Sequence, residues 1–492
     1  MASRRPVTAP VALAAVAQEL SLTVSGDIHI SGITHDSREV THGDLYVAIP
    51  GLKNHGIEFL DQAITNGAVA VASDAHGVAI AANHGLPTVT LINPRRDMAL
   101  LASVVFDHPE RKLTLIGITG TNGKTTVASM VRHIVHSAGH TTGMIGTLGA
   151  FSGEEHLAGL RTTPESTDLY ATLAYMAQHD VTHVVMEVSS HGLVLDRVAG
   201  LHFASAVFTN LSQDHLDFHA SMEDYFAAKT QLFTMTDAAV VNADDAYGVQ
   251  LLARIPAGVK IVTCGQHGDV QAAAVKATAD GRTIFDLQVE QHEHHVELPM
   301  IGDFNVMNAL CAIAACSEIG ISAQEAATAL STFPGVPGRC ERVTPSGDAL
   351  AIVDYAHTPD AVEKVLTQLR KATQGQLVCV LGCGGDRDPH KRYDMGKIAA
   401  SIADVVIVTD DNPRTEDPQV IRTEVMRGAA VGTAQVHEMG DRREAIAFAL
   451  SLATSGAIVA VLGKGHESGQ EIHGEIFPFD DRDVIRQVSA HA

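Results

Sequence analysis

The sequence predicts an α/β protein of about three domains. At roughly 150 residues per domain, a chain of 492 residues would fill three. Short runs rich in Val, Ile, Ala and Leu alternate with helical patterns along almost the whole chain. Continuous apolar strands separated by helices are typical of parallel sheets covered on both faces. The runs predicted as strands are Asp44–Ile49, Ala68–Ala72, Thr88–Leu91, Leu113–Thr119, His183–Glu187, Ala204–Phe208, Ala238–Asn242, Leu377–Leu381, Val405–Thr409 and Ile458–Leu462.

The composition is globular and acidic. Apolar residues make up 46% and charged residues 18%, which argues against a disordered chain. The formal net charge is −23, from 57 acidic and 34 basic side chains. Phosphate backbones select basic surfaces, so we expect no nucleic-acid partner, although one local site can still bind a nucleotide. No apolar run reaches the roughly 18–20 residues that span a bilayer, so we expect no membrane span.

The apolar run Val11–Ala17 follows Arg4 and Arg5 and faintly resembles a signal peptide. A first domain helix is the better interpretation, because apolar residues recur at helical spacing from Leu13 to Leu20.

Six cysteines are scattered over the chain, which suits free thiols in a reducing compartment. We therefore expect a cytoplasmic protein.

Proline and glycine mark two domain boundaries. His108 and Pro109 precede a fresh strand, and Pro334–Gly338 interrupts the helical pattern of residues 305–332. Within the middle block, Val270–Pro299 has the short alternating runs of β-hairpins. The predicted domains are 1–108, 109–337 and 338–492.

A buried strand, Leu113–Thr119, runs into a glycine-rich turn that an amphipathic helix follows. The turn consists of Gly120, Thr121, Asn122, Gly123, Lys124, Thr125 and Thr126. In such a turn backbone N–H groups face phosphate oxygens, the lysine reaches the terminal phosphates and the hydroxyl after it ligates Mg²⁺. The turn therefore predicts an ATP site. The match to the general P-loop pattern is incomplete, because Ile118 stands where that pattern has a glycine.

Polar residues follow two other apolar strands. Glu187 ends one strand, and Thr209–Asp217 comes directly after another. Proteins of the α/β class place ligand chemistry at the carboxyl ends of strands. Glu187 can hold Mg²⁺, and His215 is a plausible further ligand, although a loop histidine is more often structural.

These segments resemble the ATP-dependent Mur ligases and their relative, folylpolyglutamate synthase. The stretch Thr-Gly-Thr-Asn-Gly-Lys-Thr, then E-V-S-S-H from Glu187 and N-L-x-x-D-H-L-D around His215, follow the order seen in that family. Such enzymes join an amine to a carboxylate through an acyl phosphate.

The resemblance implies that Lys229, in Y-x-x-A-K-x-x-L-F, is carbamylated by CO₂ and holds the second of two Mg²⁺ ions with Glu187 and His215. A carbamate is an anionic oxygen ligand of the kind Mg²⁺ prefers. Lys124, Glu187, His215 and Lys229 would then be the catalytic residues.

Further segments match the family around the nucleotide. Asn308 lies in N-V-M-N-A, Arg339 in G-R-C-E, and Asp354 and His357 in D-Y-A-H-T-P. The resemblance implies that all four approach ATP. It also implies a central P-loop domain and a C-terminal Rossmann-like α/β domain.

The first 108 residues resemble the UDP-binding domain of the muramyl-tripeptide synthetases, chiefly at Thr34–Arg38 and Gly43–Ala48. The folate relative lacks such a domain. The implied substrate is UDP-N-acetylmuramoyl-L-alanyl-D-glutamate. The residues implied to bind it are His35, Ser37, Leu52, Lys53, Asn54, Thr162, Thr163, Ser189 and Arg197.

Asp411-Asn412-Pro413-Arg414 matches D-N-P-R, the signature of family members that add meso-2,6-diaminopimelate. Lysine-adding members depart from it at the arginine. The residues implied to bind the amino acid are Arg387, Asp411, Asn412, Pro413, Arg414, Gly463 and Glu467. The far end of diaminopimelate is a zwitterion, so its binding needs both a positive and a negative charge. Arg414 would supply the positive charge and Glu467 the negative one.

The implied reaction is phosphorylation by ATP of the D-glutamate γ-carboxylate, followed by attack of the diaminopimelate amine. It would serve peptidoglycan precursor synthesis, and we expect a monomer. A lysine-adding ligase is the nearest alternative. A P-loop NTPase acting as a switch or motor would leave D-N-P-R unexplained, and a non-catalytic UDP-sugar-binding protein would have no use for Lys124, Glu187 and Lys229 together.

Overall fold

The structure is a computed structural model that describes residues 5–51, 54–157, 161–214, 218–278, 281–343, 350–373 and 375–490. Its strands form three larger sheets of five, eleven and six strands, in that order along the chain. Helices pack against these sheets, so the α/β class is confirmed. The strands predicted from apolar runs are present, with ends shifted by at most two residues.

The N-terminal sheet has the order β2-β7-β6-β5-β4, in which β4 to β7 are parallel and β2 is antiparallel. The first helix, α1, buries Leu13, Val16 and Ala17, which confirms the helix predicted there. The elements of this region are β1 (Val11–Ala12), α1 (Leu13–Glu19), β2 (Thr23–Ser25), β3 (His29–Ile30), β4 (Gly32–Thr34), β5 (Asp44–Ala48), α2 (Leu60–Asn66), β6 (Ala70–Ser73), α3 (Ala75–Asn83), β7 (Thr88–Thr90) and α4 (Pro94–Val105).

The middle region contains the eleven-stranded sheet. Its elements are β8 (Thr114–Thr119), α5 (Lys124–Ser137), β9 (Thr142–Gly146), β10 (Gly149–Ser152), β11 (Glu155–Leu157), α6 (Ser166–Gln178), β12 (His183–Glu187), α7 (Ser190–Val194), β13 (Phe203–Phe208), α8 (Met222–Thr230), β14 (Thr236–Asn242), α9 (Ala246–Leu252), β15 (Lys260–Cys264), β16 (Val270–Ala277), β17 (Thr283–Val289), β18 (His292–Leu298), α10 (Asp303–Ser317) and α11 (Ala323–Leu330).

Parallel strands form the centre of this sheet, in the order β9-β12-β8-β13-β14-β15. One face packs on α5, α10 and α11 and the other on α4, α6 and α8, so both faces are covered. The hairpins predicted within Val270–Pro299 are β16 to β18, at one edge. Because β8 lies between β12 and β13, the carboxyl ends of these three strands are adjacent.

The C-terminal sheet has the order β19-β20-β24-β21-β22-β23, and its strands from β20 to β23 run parallel. Its elements are β19 (Glu341–Val343), β20 (Leu350–Asp354), α12 (Pro359–Ala372), β21 (Leu377–Leu381), α13 (His390–Ile402), β22 (Val405–Val408), α14 (Pro418–Ala429), β23 (Gln435–Glu438), α15 (Arg442–Leu452), β24 (Ile458–Leu462), β25 (Gly469–Ile472), β26 (Glu475–Pro478) and α16 (Asp481–Ala490). Three short 3₁₀ helices span Gly56–Phe59, Pro109–Arg111 and Gln231–Thr234.

All six cysteines are buried free thiols, as their scattered spacing predicts. Within the described ranges, none of the helices combines the length and the apolar character needed to cross a bilayer.

Candidate active site

The glycine-rich turn connects β8 to α5, at the centre of the eleven-stranded sheet. Gly120 and Gly123 have φ of +146° and +87°, a region that side chains rarely adopt. A Cβ on Gly120 would lie 1.9 Å from Thr209 Oγ1, and one on Gly123 would lie 2.5 Å from Asn308 Oδ1. No side chain caps the start of α5. Its first N–H groups and its positive dipole end can therefore bind phosphate oxygens, as predicted.

Lys124 is the first residue of α5, and its side chain curls back over the turn. Its Nζ donates to the carbonyl oxygens of Gly120 at 2.9 Å and Thr121 at 3.0 Å. Burial lowers the pKa of Lys124, while the negative charges of Glu187 and Asp214 act in the opposite direction. The ammonium can exchange these carbonyls for phosphate oxygens, so its position fits the predicted role.

Glu187, the last residue of β12, places a fully buried carboxylate beside the turn. Thr147 donates to it twice, from its backbone N–H at 2.9 Å and from its hydroxyl at 3.1 Å. The hydroxyl of Thr125 donates to the same carboxylate at 3.1 Å. A carboxylate and a hydroxyl at the base of a phosphate loop are oxygen ligands suited to Mg²⁺.

Lys229 lies on α8 with 1% of its surface exposed. Its Nζ donates to the Gly120 carbonyl at 2.8 Å and lies 4.5 Å from the centre of the Tyr225 ring. Burial and, second, the charge of Lys124 hold the pKa of Lys229 well below its usual range. A neutral amine is the form that reacts with CO₂, so this environment suits the predicted carbamate.

The donor set fits Mg²⁺ once such a carbamate is added. In the described part of the chain, no three His, Cys, Asp or Glu side chains form a ready-made metal cluster. Glu187 and Thr125 supply oxygen atoms, and a carbamate on Lys229 would supply a further anionic one. His215 lies outside the described residues.

A cavity of about 580 Å³ separates the turn from the C-terminal sheet. Of the predicted ATP residues, those that line it are Thr121, Asn122, Gly123, Lys124, Thr125, Thr126, Asn308, Arg339, Asp354 and His357. Ten of the eleven residues predicted to bind ATP therefore lie around one cavity of nucleotide size. The carbonyl oxygen of Gly120 accepts hydrogen bonds from Lys124 and Lys229 beside that cavity.

Arg339 connects the two walls of the cavity. Its guanidinium lies 4.6 Å from the centre of the Tyr355 ring, and Nη2 donates to Thr125 Oγ1 at 3.4 Å. Asp354 accepts backbone hydrogen bonds from Cys340 at 2.6 Å and Ala356 at 2.7 Å. Burial raises the pKa of this carboxyl against the opposing charge of Arg339. Asp354 thus fixes the segment that carries Arg339.

Asp360 is a cavity neighbour that the sequence analysis missed. It opens α12, and its Oδ2 accepts from Ser212 Oγ at 2.9 Å and from Asn122 Nδ2 at 3.2 Å. Lys364 donates to the same oxygen at 2.9 Å. Asp360 therefore fastens the C-terminal region to the phosphate loop. The sequence did contain a signal for Asp360, because this residue ends the segment D-Y-A-H-T-P-D.

The residues implied to bind the UDP substrate fall into two groups. Thr162 and Ser189 line the cavity, whereas the other members that the structure describes do not. Thr163 Oγ1 donates to Ser189 Oγ at 3.0 Å, and Arg197 Nη1 donates to the Thr163 carbonyl at 3.0 Å. Arg197 also pairs with Glu165 at 2.7 Å, a carboxylate the sequence analysis missed.

Among the N-terminal members of this set, His35 contacts the middle region, while Ser37 and Asn54 have partners within the N-terminal region. His35 Nδ1 is 2.8 Å from Thr167 Oγ1 on α6, and Ser37 Oγ donates to Gln62 at 2.7 Å. Asn54 accepts a backbone hydrogen bond from Gly51 at 3.0 Å. Leu52 and Lys53 lie outside the described residues.

The residues implied to bind the amino acid gather at the carboxyl ends of β21, β22 and β24. Asn412 Nδ2 donates to Glu467 Oε2 at 2.7 Å. Arg414 has φ of +51°, and its Nε donates to Glu471 Oε2 at 3.1 Å. The fully buried Lys464 lies 3.3 Å from Glu467. Both Lys464 and Glu471 were missed, because their contacts arise only in the folded chain.

The remaining members of this set lie at the edge of the amino-acid cluster or shape the loops around it. Arg387 is exposed on the loop after β21. Gly463 has φ of +113°, and a Cβ there would lie 2.5 Å from Asp411 Oδ2. A Cβ on Gly385 would lie 2.1 Å from the Pro413 carbonyl oxygen, so this loop packs closely on the Asp411–Arg414 loop.

Two contacts join the amino-acid cluster to the nucleotide cavity. The Gly463 N–H donates to the Asp354 carbonyl at 3.0 Å, and the His466 ring lies 5.4 Å from that of Tyr355. Burial, then the charges of Arg339 and Arg482, lower the pKa of His466 to about 4. The nucleotide cavity and the amino-acid cluster therefore share a wall.

The fold and the cavity define a nucleotide-using α/β enzyme of the P-loop class. Three family models match the chain: "Mur ligase family, catalytic domain" at residues 29–99, "Mur ligase middle domain" at 118–316 and "Mur ligase, glutamate ligase domain" at 338–465. The chain belongs to the Mur ligase family, and it is an ATP-dependent ligase.

Two ligases are similar to this chain in sequence, and a third protein shares its fold. UDP-N-acetylmuramoyl-L-alanyl-D-glutamate--2,6-diaminopimelate ligase of Streptomyces avermitilis is 47% identical over 477 residues, covering 94% of this chain and 93% of the relative. A solved structure of a ligase of that name is 34% identical with a TM-score of 0.68, covering 94% and 95%. Mycobacterium tuberculosis folylpolyglutamate synthase, complexed with ADP and AMPPCP, shares the fold at 18% identity and a TM-score of 0.61, covering 79% and 93%.

Gly123→Ala should weaken nucleotide binding about tenfold or more. With a side chain at position 123 the free turn relaxes, and nucleotide binding must restore the left-handed backbone at a cost of about 1–2 kcal/mol, which is roughly a decade in affinity. The new methyl would also displace Asn308. The measurement is ADP affinity by calorimetry. Gly139→Ala is the matched control, because Gly139 follows the same helix with φ of +90° and open space around it. Equal affinity in wild type and Gly123→Ala would contradict the role of the turn.

Proposed function

We propose that this chain ligates meso-2,6-diaminopimelate to UDP-N-acetylmuramoyl-L-alanyl-D-glutamate in an ATP-dependent reaction. The observation that carries the proposal is the shared wall between the nucleotide cavity and the amino-acid cluster, formed where Gly463 donates to Asp354. A ligase must hold an activated carboxylate and an amine next to each other, and this wall brings their two sites together. The names of the similar ligases agree with these substrates.

The three regions divide the substrates among them. We assign the UDP portion to residues 1–108, ATP to 109–337 and the amino acid to 338–492. Pro334–Gly338 would be the hinge between the last two. The closing contacts are those of Arg339 with Thr125 and of Asp360 with Asn122 and Ser212. A hinge closure of this kind excludes water and completes the site.

The first chemical step is transfer of the γ-phosphoryl group of ATP to the D-glutamate γ-carboxylate. Lys124 and the N-terminus of α5 stabilise the charge on the phosphate oxygens as the bond to the leaving group breaks. Mg²⁺, when bound, supplies further positive charge there; Thr125, Glu187, His215 and carbamylated Lys229 would hold it. The product of the step is an acyl phosphate.

The second step is attack of the diaminopimelate amine on the acyl carbon. A tetrahedral intermediate forms and loses phosphate, leaving an amide. The chain contributes positioning and charge, since effective concentration alone lowers such barriers substantially. Arg414 would bind the distal carboxylate of diaminopimelate as a planar, bidentate donor. The reaction belongs to peptidoglycan precursor synthesis, which we place in the cytoplasm, with the chain acting as a monomer.

Release of phosphate should require both acceptor substrates. If the acyl phosphate forms only on the bound UDP-dipeptide and is consumed only by an amino acid, leaving out either one should abolish steady phosphate release from ATP. The measurement is a coupled phosphate assay with each component omitted in turn. Steady hydrolysis that neither substrate affects would favour a P-loop switch or motor instead.

Diaminopimelate should be preferred strongly over lysine. Lysine has no distal carboxylate, and losing one partner of a desolvated charge pair costs about 2–5 kcal/mol, or about thirty- to several-thousand-fold. Because Glu471 already contacts Arg414, we expect the lower part of this range. The measurement is competition of the two amino acids in a ligation assay.

Arg414→Ala should remove most of this preference and leave the KM for ATP unchanged. Arg427→Ala, on the exposed face of α14, is the control for loss of an arginine. Use of lysine as readily as diaminopimelate by the wild-type chain would instead support the lysine-adding alternative. An unaltered preference in Arg414→Ala would remove the role given to that residue.

A further inference from the structure

We propose that Lys464 is a positioning residue of the amino-acid site, which fixes Asn412 and Glu467 in the orientation that binds the acceptor. The inference rests on the proposed function and adds a residue to it. Lys464 follows β24 and lies in the loop that forms the shared wall. In the part of the chain that the structure describes, none of its hydrogen-bond acceptors lines the nucleotide cavity.

The Lys464 side chain is fully buried, so its ammonium depends on protein partners. Nζ donates to the Gly469 carbonyl at 2.6 Å, to Asn412 Oδ1 at 3.1 Å and to Glu467 Oε2 at 3.3 Å. These three acceptors match the three N–H groups of an ammonium. The side chain is therefore held in one place, between the two residues implied to bind the amino acid.

This arrangement determines which way the Asn412 amide faces. An ammonium can only donate and a carboxylate can only accept, so Oδ1 must face Lys464 and Nδ2 must face Glu467. The backbone N–H of Glu471 also donates to Oδ1 at 3.0 Å, which agrees with that orientation. One Nδ2 hydrogen goes to Glu467 at 2.7 Å. A carboxylate of the amino acid can accept a hydrogen bond from the other Nδ2 hydrogen.

The same contact orients the charge of Glu467. Its side chain is 31% exposed while that of Lys464 is 0% exposed. The carboxylate therefore has a buried side, balanced by Lys464, and an exposed side that an ammonium group of the acceptor can reach. Without Lys464, the carboxylate would be free to rotate toward solvent, because only Asn412 would still hold it.

The backbone around Lys464 directs its side chain inward. Gly463 and Gly465 flank it with φ of +113° and +54°. A Cβ on Gly465 would lie 2.7 Å from Tyr355 Cβ, so the loop packs tightly on the shared wall. The loop thus turns Lys464 away from solvent and toward the Asp411–Arg414 loop.

The test is Lys464→Met in the full chain, a substitution that keeps length and removes the donors. Small misplacements of binding groups change rates by about 10²-fold, so we expect kcat/KM for diaminopimelate to fall roughly 10- to 100-fold. The KM for ATP should stay within about threefold. Lys397→Met, at an exposed position of α13, controls for the loss of a lysine and should leave both unchanged. Lys464→Gln, which keeps two N–H donors on its amide, should lose less of the kcat/KM for diaminopimelate, and it replaces the Met variant if that variant fails to fold.

A double-mutant cycle separates positioning from a general loss of structure. If Lys464 acts through Asn412 and Glu467, Lys464→Met in a background that carries both Asn412→Ala and Glu467→Gln should change kcat/KM for diaminopimelate by no more than about threefold. Losses that multiply, or a Lys464→Met enzyme as active as wild type, would overturn the inference. Both results presuppose that the wild-type chain ligates diaminopimelate. If it does not, the proposed function fails first, and the cycle is run with the acceptor it does use.

Discussion

The backbone carbonyl of Gly120 accepts hydrogen bonds from two buried lysines, Lys124 at 2.9 Å and Lys229 at 2.8 Å. Two ammonium groups on one oxygen repel each other strongly where little water screens them. Burial and this repulsion lower the pKa of Lys229 well below its usual range. The carbonyl can occupy this point only because Gly120 adopts a positive φ against Thr209.

The chemistry of the site follows from that contact. A neutral Lys229 can add CO₂, and the carbamate would replace a repelling neighbour of Lys124 with an attracting one. Lys124 would then keep its charge for the phosphates, while the carbamate joins Glu187 as an anionic oxygen ligand. The C-terminal region closes on the same loop through Arg339 and Asp360. The proposed nucleotide, metal and acceptor sites would thus be organised around one turn of the backbone.

The sequence predicted best the residues that follow a buried strand. Glu187 and the glycine-rich turn each continue a parallel strand, and neighbouring carboxyl ends meet at one edge of a sheet. It missed Lys464 and Glu471, because a charged residue in a loop or hairpin has no local mark of its partner, and it missed Asp360 although that residue directly follows D-Y-A-H-T-P. Which carboxylate contacts Arg414 depends on the docking of the hairpin β25–β26, which local patterns do not encode. The substrate assignments came from family resemblance rather than from spacing.

The most direct test of this account is to look for the carbamate on Lys229. The chain, equilibrated with ¹³C-bicarbonate at about pH 8, would be examined by ¹³C NMR beside Lys229→Ala, with Lys397→Ala as a control for loss of an exposed lysine. We expect one carbamate carbon in the wild type and in the control, absent from Lys229→Ala and lost on acidification as the amine is protonated. A wild-type spectrum without that signal, or the same signal in Lys229→Ala, would contradict the claim that burial and the charge of Lys124 keep Lys229 neutral and able to add CO₂.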